Sequence, residues 1–152
     1  MIPPEEVGTP SRYAALLGAL LAALLLLRLG EVPFVGPDEP RYARVAVEMK
    51  RSTDWVTPTL QGEPWLEKPA LYYWLAAGTM AILGETETAA RLPSVLACVA
   101  SAWLAAWLGA RLAGAVAGRH AASILGLNFL AYIYGRAAAM DTLLAACVSG
   151  TV

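Results

Sequence analysis

Nineteen consecutive residues, Leu92 to Ala110, separate Arg91 from Arg111 without one charge. As a helix rising about 1.5 Å per residue they extend roughly 28 Å, close to a hydrocarbon core of about 30 Å. Fifteen more uncharged residues, Tyr13 to Leu27, lie between Arg12 and Arg28, and arginines at both ends can snorkel to the headgroups. A third apolar stretch runs from Ala121 to Gly135, prolonged backward over Leu112–Gly118 with Arg119 and His120 intervening. Only 15% of the chain is charged and 58% is hydrophobic, against about 25% charged in ordinary soluble domains. An all-α integral membrane protein with several spans is the expectation: 12–29, 91–112, 113–135 and the start of another over 137–152. The net charge of −1 offers no general attraction to nucleic acid, and no nucleic-acid partner is expected.

A secretory signal would also place an apolar stretch near the N-terminus. The acids Glu5 and Glu6 ahead of it, and Leu29-Gly30-Glu31 where small residues belong at a cleavage site, argue against that. At the other end, Thr142 to Val152 supplies eleven uncharged residues, about 16 Å of helix. A helix stopping inside a bilayer leaves its last carbonyls unpaired, so the sequence reads as the N-terminal piece of a longer protein.

Pro69 to Gly84, sixteen residues between Lys68 and Glu85, is short for a span and suits an interfacial or re-entrant helix. Tyr72, Tyr73 and Trp74 favour the headgroup level for its start. Charge counting leaves orientation open. With a cytoplasmic N-terminus, the segment 30–91 carries six Lys/Arg outside, but loops of about sixty residues weaken the positive-inside rule.

That segment holds most of the polar chemistry, with nine of the twelve acids between Glu31 and Glu87. After Gly36-Pro37-Asp38-Glu39-Pro40, residues Tyr42, Val45, Ala46 and Met49 recur at helical spacing. Asp38 in isolation reads as an N-cap. Three prolines from Pro58 to Pro69 make the next segment extended and turn-rich, and Pro69 fits the first turn of the helix it opens. Lys68 there meets the unfavourable positive end of a helix dipole. A bound anion such as phosphate would reverse that sign, while pairing with Glu67 or Glu63 is the bland alternative. Asp141, an acid at the edge of an apolar helix, is a functional-site hypothesis by default, with Arg136 nearby as a structural partner. His120 reads as a loop histidine without a metal role, and Cys98 and Cys147 as small hydrophobes. No CxxC, P-loop, GxSxG or HExxH pattern and no internal repeat is present.

The run Asp38-Glu39-Pro40-Arg41-Tyr42-Ala43, then Asp54-Trp55-Val56, Gly62 through Glu67-Lys68-Pro69, Leu71-Tyr72-Tyr73-Trp74 and Arg91-Leu92-Pro93-Ser94 resembles the opening of polyprenyl-phosphate-dependent membrane glycosyltransferases. The resemblance, over roughly residues 13 to 150, is to the bacterial branch related to protein O-mannosyltransferases and most closely to aminoarabinose lipid A transferases. It implies a multi-span C-type glycosyltransferase fold in the inner membrane, with a cytoplasmic N-terminus. A first extracytoplasmic loop, 30–90, carries interfacial helices including Pro69–Gly84, and Leu92–Ala110 returns through the membrane.

The resemblance further implies a polyprenyl-phosphate-linked sugar donor and a lipid acceptor such as lipid A, or another cell-envelope acceptor. Asp38 matches a first-loop acid acting as catalytic base or acceptor-positioning group, with Glu39 beside it. Asp141 matches a second acid near the cavity, and Lys68 a lysine at the donor phosphate. Arg41 and Tyr42 belong to the same substrate-binding motif. Glu67 matches a ligand to a divalent metal ion whose remaining ligands lie beyond this chain. A carboxylate within reach of an acceptor hydroxyl and a cation at the departing phosphate are what such a transfer needs. The 152-residue piece is not expected to be active alone. Two other readings stand beside this one: a protein O-glycosyltransferase of the same fold, and a non-catalytic membrane fragment or transporter subunit in which Asp38 only caps a helix.

The orientation generates a direct expectation. A single cysteine placed at Thr53 of the complete protein should react with a membrane-impermeant maleimide in intact cells, whereas protection until lysis would place the loop inside.

Overall fold

The computed structural model describes residues 12–151. Six helices and one small hairpin follow in order: α1 (Arg12–Leu26), α2 (Asp38–Ser52), β1 (Thr59–Leu60), β2 (Glu63–Pro64), α3 (Leu71–Leu83), α4 (Glu87–Gly126), α5 (Phe129–Gly135) and α6 (Asp141–Ser149). The fold is therefore mostly helical, and the all-α expectation is corrected only by the hairpin. Its strands pair Thr59 with Pro64 and Leu60 with Glu63. Gln61 and Gly62 both have positive φ, 58° and 85°, the pattern of a tight I′ turn whose twist matches the strands. The Glu48 carboxylate accepts from the Gln61 and Gly62 amides and the Thr59 hydroxyl at 3.0–3.2 Å, which fastens the hairpin to α2.

Helix α2 is amphipathic, and Tyr42, Val45, Ala46 and Met49 are its buried stripe. Asp38 and Glu39 stand in its first turn and Lys50 and Arg51 in its last, both favourable to the helix dipole. The chain enters through Gly36 at φ 71° and leaves through Thr53 in the left-handed region. The N-cap reading of Asp38 is corrected here. Pro37 occupies the cap without a side-chain hydrogen bond, and Asp38, one residue into the helix, accepts from Arg41 at 3.3 Å.

Helix α3 begins at Leu71 with Ala70 at its cap, so Pro69 precedes the helix instead of opening its first turn. The rings of Tyr72 and Tyr73 face into the protein. Both are buried between α2, α3 and the start of α4, with Tyr42, Ala76, Ala77 and Met80 around them. Only Trp74 keeps an exposed face, its indole donating to the Trp55 carbonyl at 2.6 Å.

Thr86 caps α4 by accepting from the Ala89 amide. Pro93 lies inside this helix and has no N–H for the Ala89 carbonyl four residues back. The Thr79 hydroxyl donates to that carbonyl instead, at 2.7 Å, and the Tyr72 hydroxyl donates to the Ala90 carbonyl at 2.9 Å. Farther along, Ala113 and Gly114 leave helical geometry, so α4 is a hairpin of two limbs, 87–112 and 115–126. A Cβ on Gly118 would lie 2.4 Å from the Ala106 carbonyl oxygen, and one on Gly109 3.1 Å from Gly118 Cα. Small residues bring the two backbones into contact, as in helix pairs packed in lipid.

The third expected span, 113–135, is not one helix, because α4 ends at Gly126 and Asn128 caps α5 with hydrogen bonds from the Leu130 and Ala131 amides. His120 is an exposed residue inside α4, not a loop histidine. Among the described residues, α4 is the one helix long and apolar enough to cross a membrane by length and composition. The apolar segments Leu16–Leu26 and Leu71–Leu83 are shorter.

Helix α1 packs on α4 through Leu21 and Leu25, joined by Leu29 of the following turn, against Val95, Cys98 and Ala102. Its last carbonyls would otherwise be orphans. The Arg136 guanidinium takes them: Nη1 lies 2.7–3.0 Å from the carbonyl oxygens of Leu24, Leu25 and Leu27. Arg136 is thus the C-terminal cap of α1 and not a partner of Asp141.

The hairpin contact predicts that Gly118→Ala destabilises the protein by about 1–3 kcal/mol, the usual cost of overpacking a rigid backbone contact. Gly18→Ala, where a Cβ meets nothing within 4 Å, should be neutral or stabilising. Thermal unfolding of the two variants in the same detergent checks the difference.

Candidate functional site

Three pieces of chain meet at one open face: the first turns of α2, the segment 65–68 before α3, and the start of α6. Tyr42 is the point about which they gather. Its ring contacts those of Tyr72 and Tyr73, with centroids 6.2 Å apart in each case. Burial raises the Tyr42 phenol above its ordinary value, and the nearby charges of Asp38, Asp141 and Glu67 raise it further while Arg41 opposes them. Trp65, Met140 and Leu143 pack on the core around Tyr42, so Asp38 and Arg41 of α2, Glu67 before α3 and Asp141 of α6 come into one region. Asp38 and Asp141 are exposed, each in the first turn of its helix, where a carboxylate is favoured by the dipole.

Arg41 is held from two sides. It donates to Asp38 at 3.3 Å, and its guanidinium carbon lies 5.4 Å from the centre of the Trp65 ring, within cation–π range. Trp65 is fixed in turn, its indole donating to the Tyr73 hydroxyl at 3.1 Å and its amide to the Pro58 carbonyl at 2.7 Å. Burial pushes the Tyr73 phenol up to about 12, so it stays protonated. Trp65 and Tyr73 are site residues that sequence reading alone did not single out. The one signal for Trp65 was an aromatic residue amid prolines beside Glu67 and Lys68.

Lys68 and Glu67 are both exposed, and among the described residues no ion pair joins Lys68 to Glu67 or Glu63. The described residues also contain no group of three His, Cys, Asp or Glu side chains placed to hold a metal. Glu67 can supply one ligand, and these residues do not complete a metal site.

Glu39 departs from its expected role. It is turned into the protein, 6% exposed, and paired with Arg91, 4% exposed. The Arg91 Nε and Nη2 donate to Glu39 Oε1 and Oε2, both at 2.9 Å. Oε1 also accepts from the Ala138 amide at 2.6 Å and Oε2 from the Val35 amide at 2.7 Å. The remaining Arg91 donors go to the carbonyls of Leu29, Val32 and Pro33 at 2.7–3.1 Å. Arg91 thereby uses all five guanidinium hydrogens. Both Glu39 oxygens are likewise doubly occupied, so this carboxylate has no lone pair to offer a substrate. Burial alone would raise the Glu39 carboxyl, but hydrogen bonds from Arg91, Val35 and Ala138, with the Arg91 charge, outweigh it and hold it below the ordinary value. Its place in the catalytic set is corrected to one of support.

The family model for dolichyl-phosphate-mannose-protein mannosyltransferases matches residues 67–152. An undecaprenyl phosphate-alpha-4-amino-4-deoxy-L-arabinose arabinosyl transferase of Pseudomonas savastanoi pv. phaseolicola is 35% identical over 121 residues, covering 78% of this chain and 22% of that protein. A second such transferase, from Proteus mirabilis, is 30% identical over 145 residues, covering 91% of this chain and 26% of its own. The crystal structure of ArnT from Cupriavidus metallidurans in the apo state superposes with a TM-score of 0.78 at 28% identity, over 91% of this chain and 26% of that one. The same enzyme bound to undecaprenyl phosphate gives 0.78 over 93% of this chain. The chain therefore spans about a quarter or less of the length of these relatives.

The buried pair makes a signed prediction. Because the Glu39 carboxyl is held below its ordinary value, the pair's stabilisation is complete above the ordinary carboxylate range and is lost as pH falls through the lowered value. Arg91→Met should cost about 3–5 kcal/mol at neutral pH by stranding a buried carboxylate, and the gap to wild type should narrow in acid as Glu39 takes a proton. Thermal unfolding measured from neutral pH downward checks both the size and the sign.

Proposed function

The chain belongs to the family of dolichyl-phosphate-mannose-protein mannosyltransferases, and from that premise we propose that the protein it is part of is a membrane glycosyltransferase. It moves a sugar from a polyprenyl-phosphate carrier to a lipid A-like or other cell-envelope acceptor. The observation that carries this reading is the gathering of Asp38, Arg41, Glu67 and Asp141 about Tyr42 at one open face, in a chain whose relatives are named as arabinosyl transferases using an undecaprenyl phosphate sugar.

In this mechanism the acceptor hydroxyl attacks the anomeric carbon while Asp38 takes its proton. A new glycosidic C–O bond forms as the bond from the sugar to the carrier phosphate breaks. The departing phosphate is anionic, and Lys68 and Arg41 supply the positive charge that stabilises it. The Arg41–Asp38 contact is long and exposed, so Arg41 can turn to a phosphate at little cost. Asp141 is a second acid that orients the acceptor or the sugar hydroxyls, and Tyr42 supports the floor between the two carboxylates. A divalent metal would draw on Glu67 together with ligands outside this chain, and no step here depends on it.

The proposed setting is the inner membrane, with several spans and bilayer lipids around α1, α4, α5 and α6. The segment 30–90 forms the extracytoplasmic layer that meets the carrier. A protein acceptor is the second reading, favoured by the description of the matching family as dolichyl-phosphate-mannose-protein mannosyltransferases. Purified complete protein offered a lipid and a peptide acceptor in parallel separates the two.

Asp38→Asn in the complete protein should lower transfer by on the order of 100-fold or more, the usual worth of a positioned base, with the folded yield unchanged. Lys68→Ala should weaken binding of a polyprenyl phosphate at matched salt, and Lys68→Arg should recover part of it, since the charge remains but the fork is wider than an ammonium. Normal turnover in the Asn variant, or equal carrier affinities, would remove those residues from the roles given.

A further inference from the structure

Helix α2 carries Asp38 and packs on α3, whereas α6 carries Asp141 and packs on α4. The two acids thus ride on helices with different main partners, although Ala138, Met140 and Leu143 reach the apolar core around Tyr42. Among the described residues, every hydrogen bond from α2 to α4 or to residues 136–149 passes through one side chain, Glu39. Glu39 follows Asp38 directly, and its Oε1 accepts from Ala138, three residues ahead of Asp141. The same carboxylate is gripped by Arg91 of α4, which also holds the carbonyls of Leu29, Val32 and Pro33. One turn farther along α4, the buried Ser94 hydroxyl donates to the Ala139 carbonyl at 2.7 Å and the Thr142 hydroxyl meets the Ser94 carbonyl at 3.4 Å. Ser94 directly, and Arg91 through Glu39, therefore fix the lead-in to α6 from the helix that also holds the start of α2.

We propose that Glu39 and Arg91 are positioning residues that set the separation and relative orientation of Asp38 and Asp141 across the site. The proposal rests on the transferase reading for its catalytic consequence but not for its geometry. A stabilising role alone accounts poorly for the arrangement, because a buried ion pair gains little over well-packed apolar side chains of the same volume. What the pair supplies is direction. A bidentate Arg–carboxylate contact has a fixed planar geometry, and every remaining hydrogen-bonding site is taken by a backbone group whose place it defines. Helix α2 is thereby held in one register against the turn before α6.

Glu39→Gln conserves volume and leaves Arg91 its three carbonyls, but its amide can accept on one atom only and sets a donor against a donor. Glu39→Asp keeps the charge and falls short of Ala138 and Val35. In the complete protein with spin labels at the exposed positions Arg44 and Leu144, the distance distribution between α2 and α6 should be narrow in wild type and broad or shifted in both variants. Turnover per folded molecule should fall on the order of 100-fold, the scale of a misplacement of about 1 Å, while KM for the donor stays within about twofold. That split is expected because Lys68 and Arg41, which hold the phosphate, lie outside the clasp.

If Glu39→Gln does not fold, Glu39→Asp is read by the same criteria. A wild-type distribution in the variants, or turnover per folded molecule equal to wild type, overturns the proposal. The distances need no substrate, so a complete wild-type protein that transfers no sugar would sink the transferase reading while the labels still judge the clasp.

Discussion

A buried carboxylate facing a buried guanidinium organises this fold. Taking both charges out of water costs several kcal/mol for each ion unless every lone pair and hydrogen finds a partner, and here each one does. The partners come from the turn after α1, the start of α2, α4 and the turn before α6. Desolvation makes the pair intolerant of displacement. If any of these segments moves, a charged group loses a bond it cannot replace with water. Helices joined by apolar contact alone slide at little cost, whereas these are pinned at one polar point.

Arg136 repeats the device at smaller scale. Its guanidinium closes the open end of α1 by meeting carbonyls that no amide of that helix can reach, and it rests on the Tyr132 ring with its central carbon 5.3 Å from the ring centre. Arg136 thus fastens the end of the first helix to the last third of the chain. The lower part of the fold relies on a different principle. The limbs of α4 approach through Ala106, Gly109, Ala110 and Gly118, where dispersion between close backbones takes the place of a hydrophobic drive that lipid does not supply. Large apolar side chains such as Trp103, Trp107, Leu112, Ile124 and Phe129 face outward, the reverse of what a water-facing helix pair needs.

The proposed site lies where these two regimes meet. The layer from α2 to α3 has an ordinary amphipathic core, with polar residues on its open face, and sits beside the more apolar helix α4. Asp38, Arg41 and Asp141 stand at that boundary, in the first turns of helices whose dipoles favour the carboxylates. Arg41 is a cation at the surface, stacked on an indole that is itself tied to a buried phenol.

The sequence by itself determined the uncharged lengths, the amphipathic stripe of α2, the turn-rich segment between Pro58 and Pro69, and the concentration of acids in one loop. These follow from local spacing and from the cost of charge in an apolar run, so they are legible one segment at a time. It also brought Asp38, Lys68 and Asp141 forward as chemistry, through their residue types and neighbours. Tertiary structure alone decided that Glu39 faces inward while Asp38 faces out, although the two are adjacent and alike. Successive residues on a helix point about 100° apart, and which direction is core depends on where Arg91, fifty-two residues later, has been carried by α4. The same holds for Tyr72 and Tyr73, whose amphipathic rings suit an interface or a core equally until α2 covers them, and for Trp65, whose role exists only because Arg41 lies over it. Local physics sets what each segment can be, and the long-range pairing of a few polar groups sets which side of it does the work.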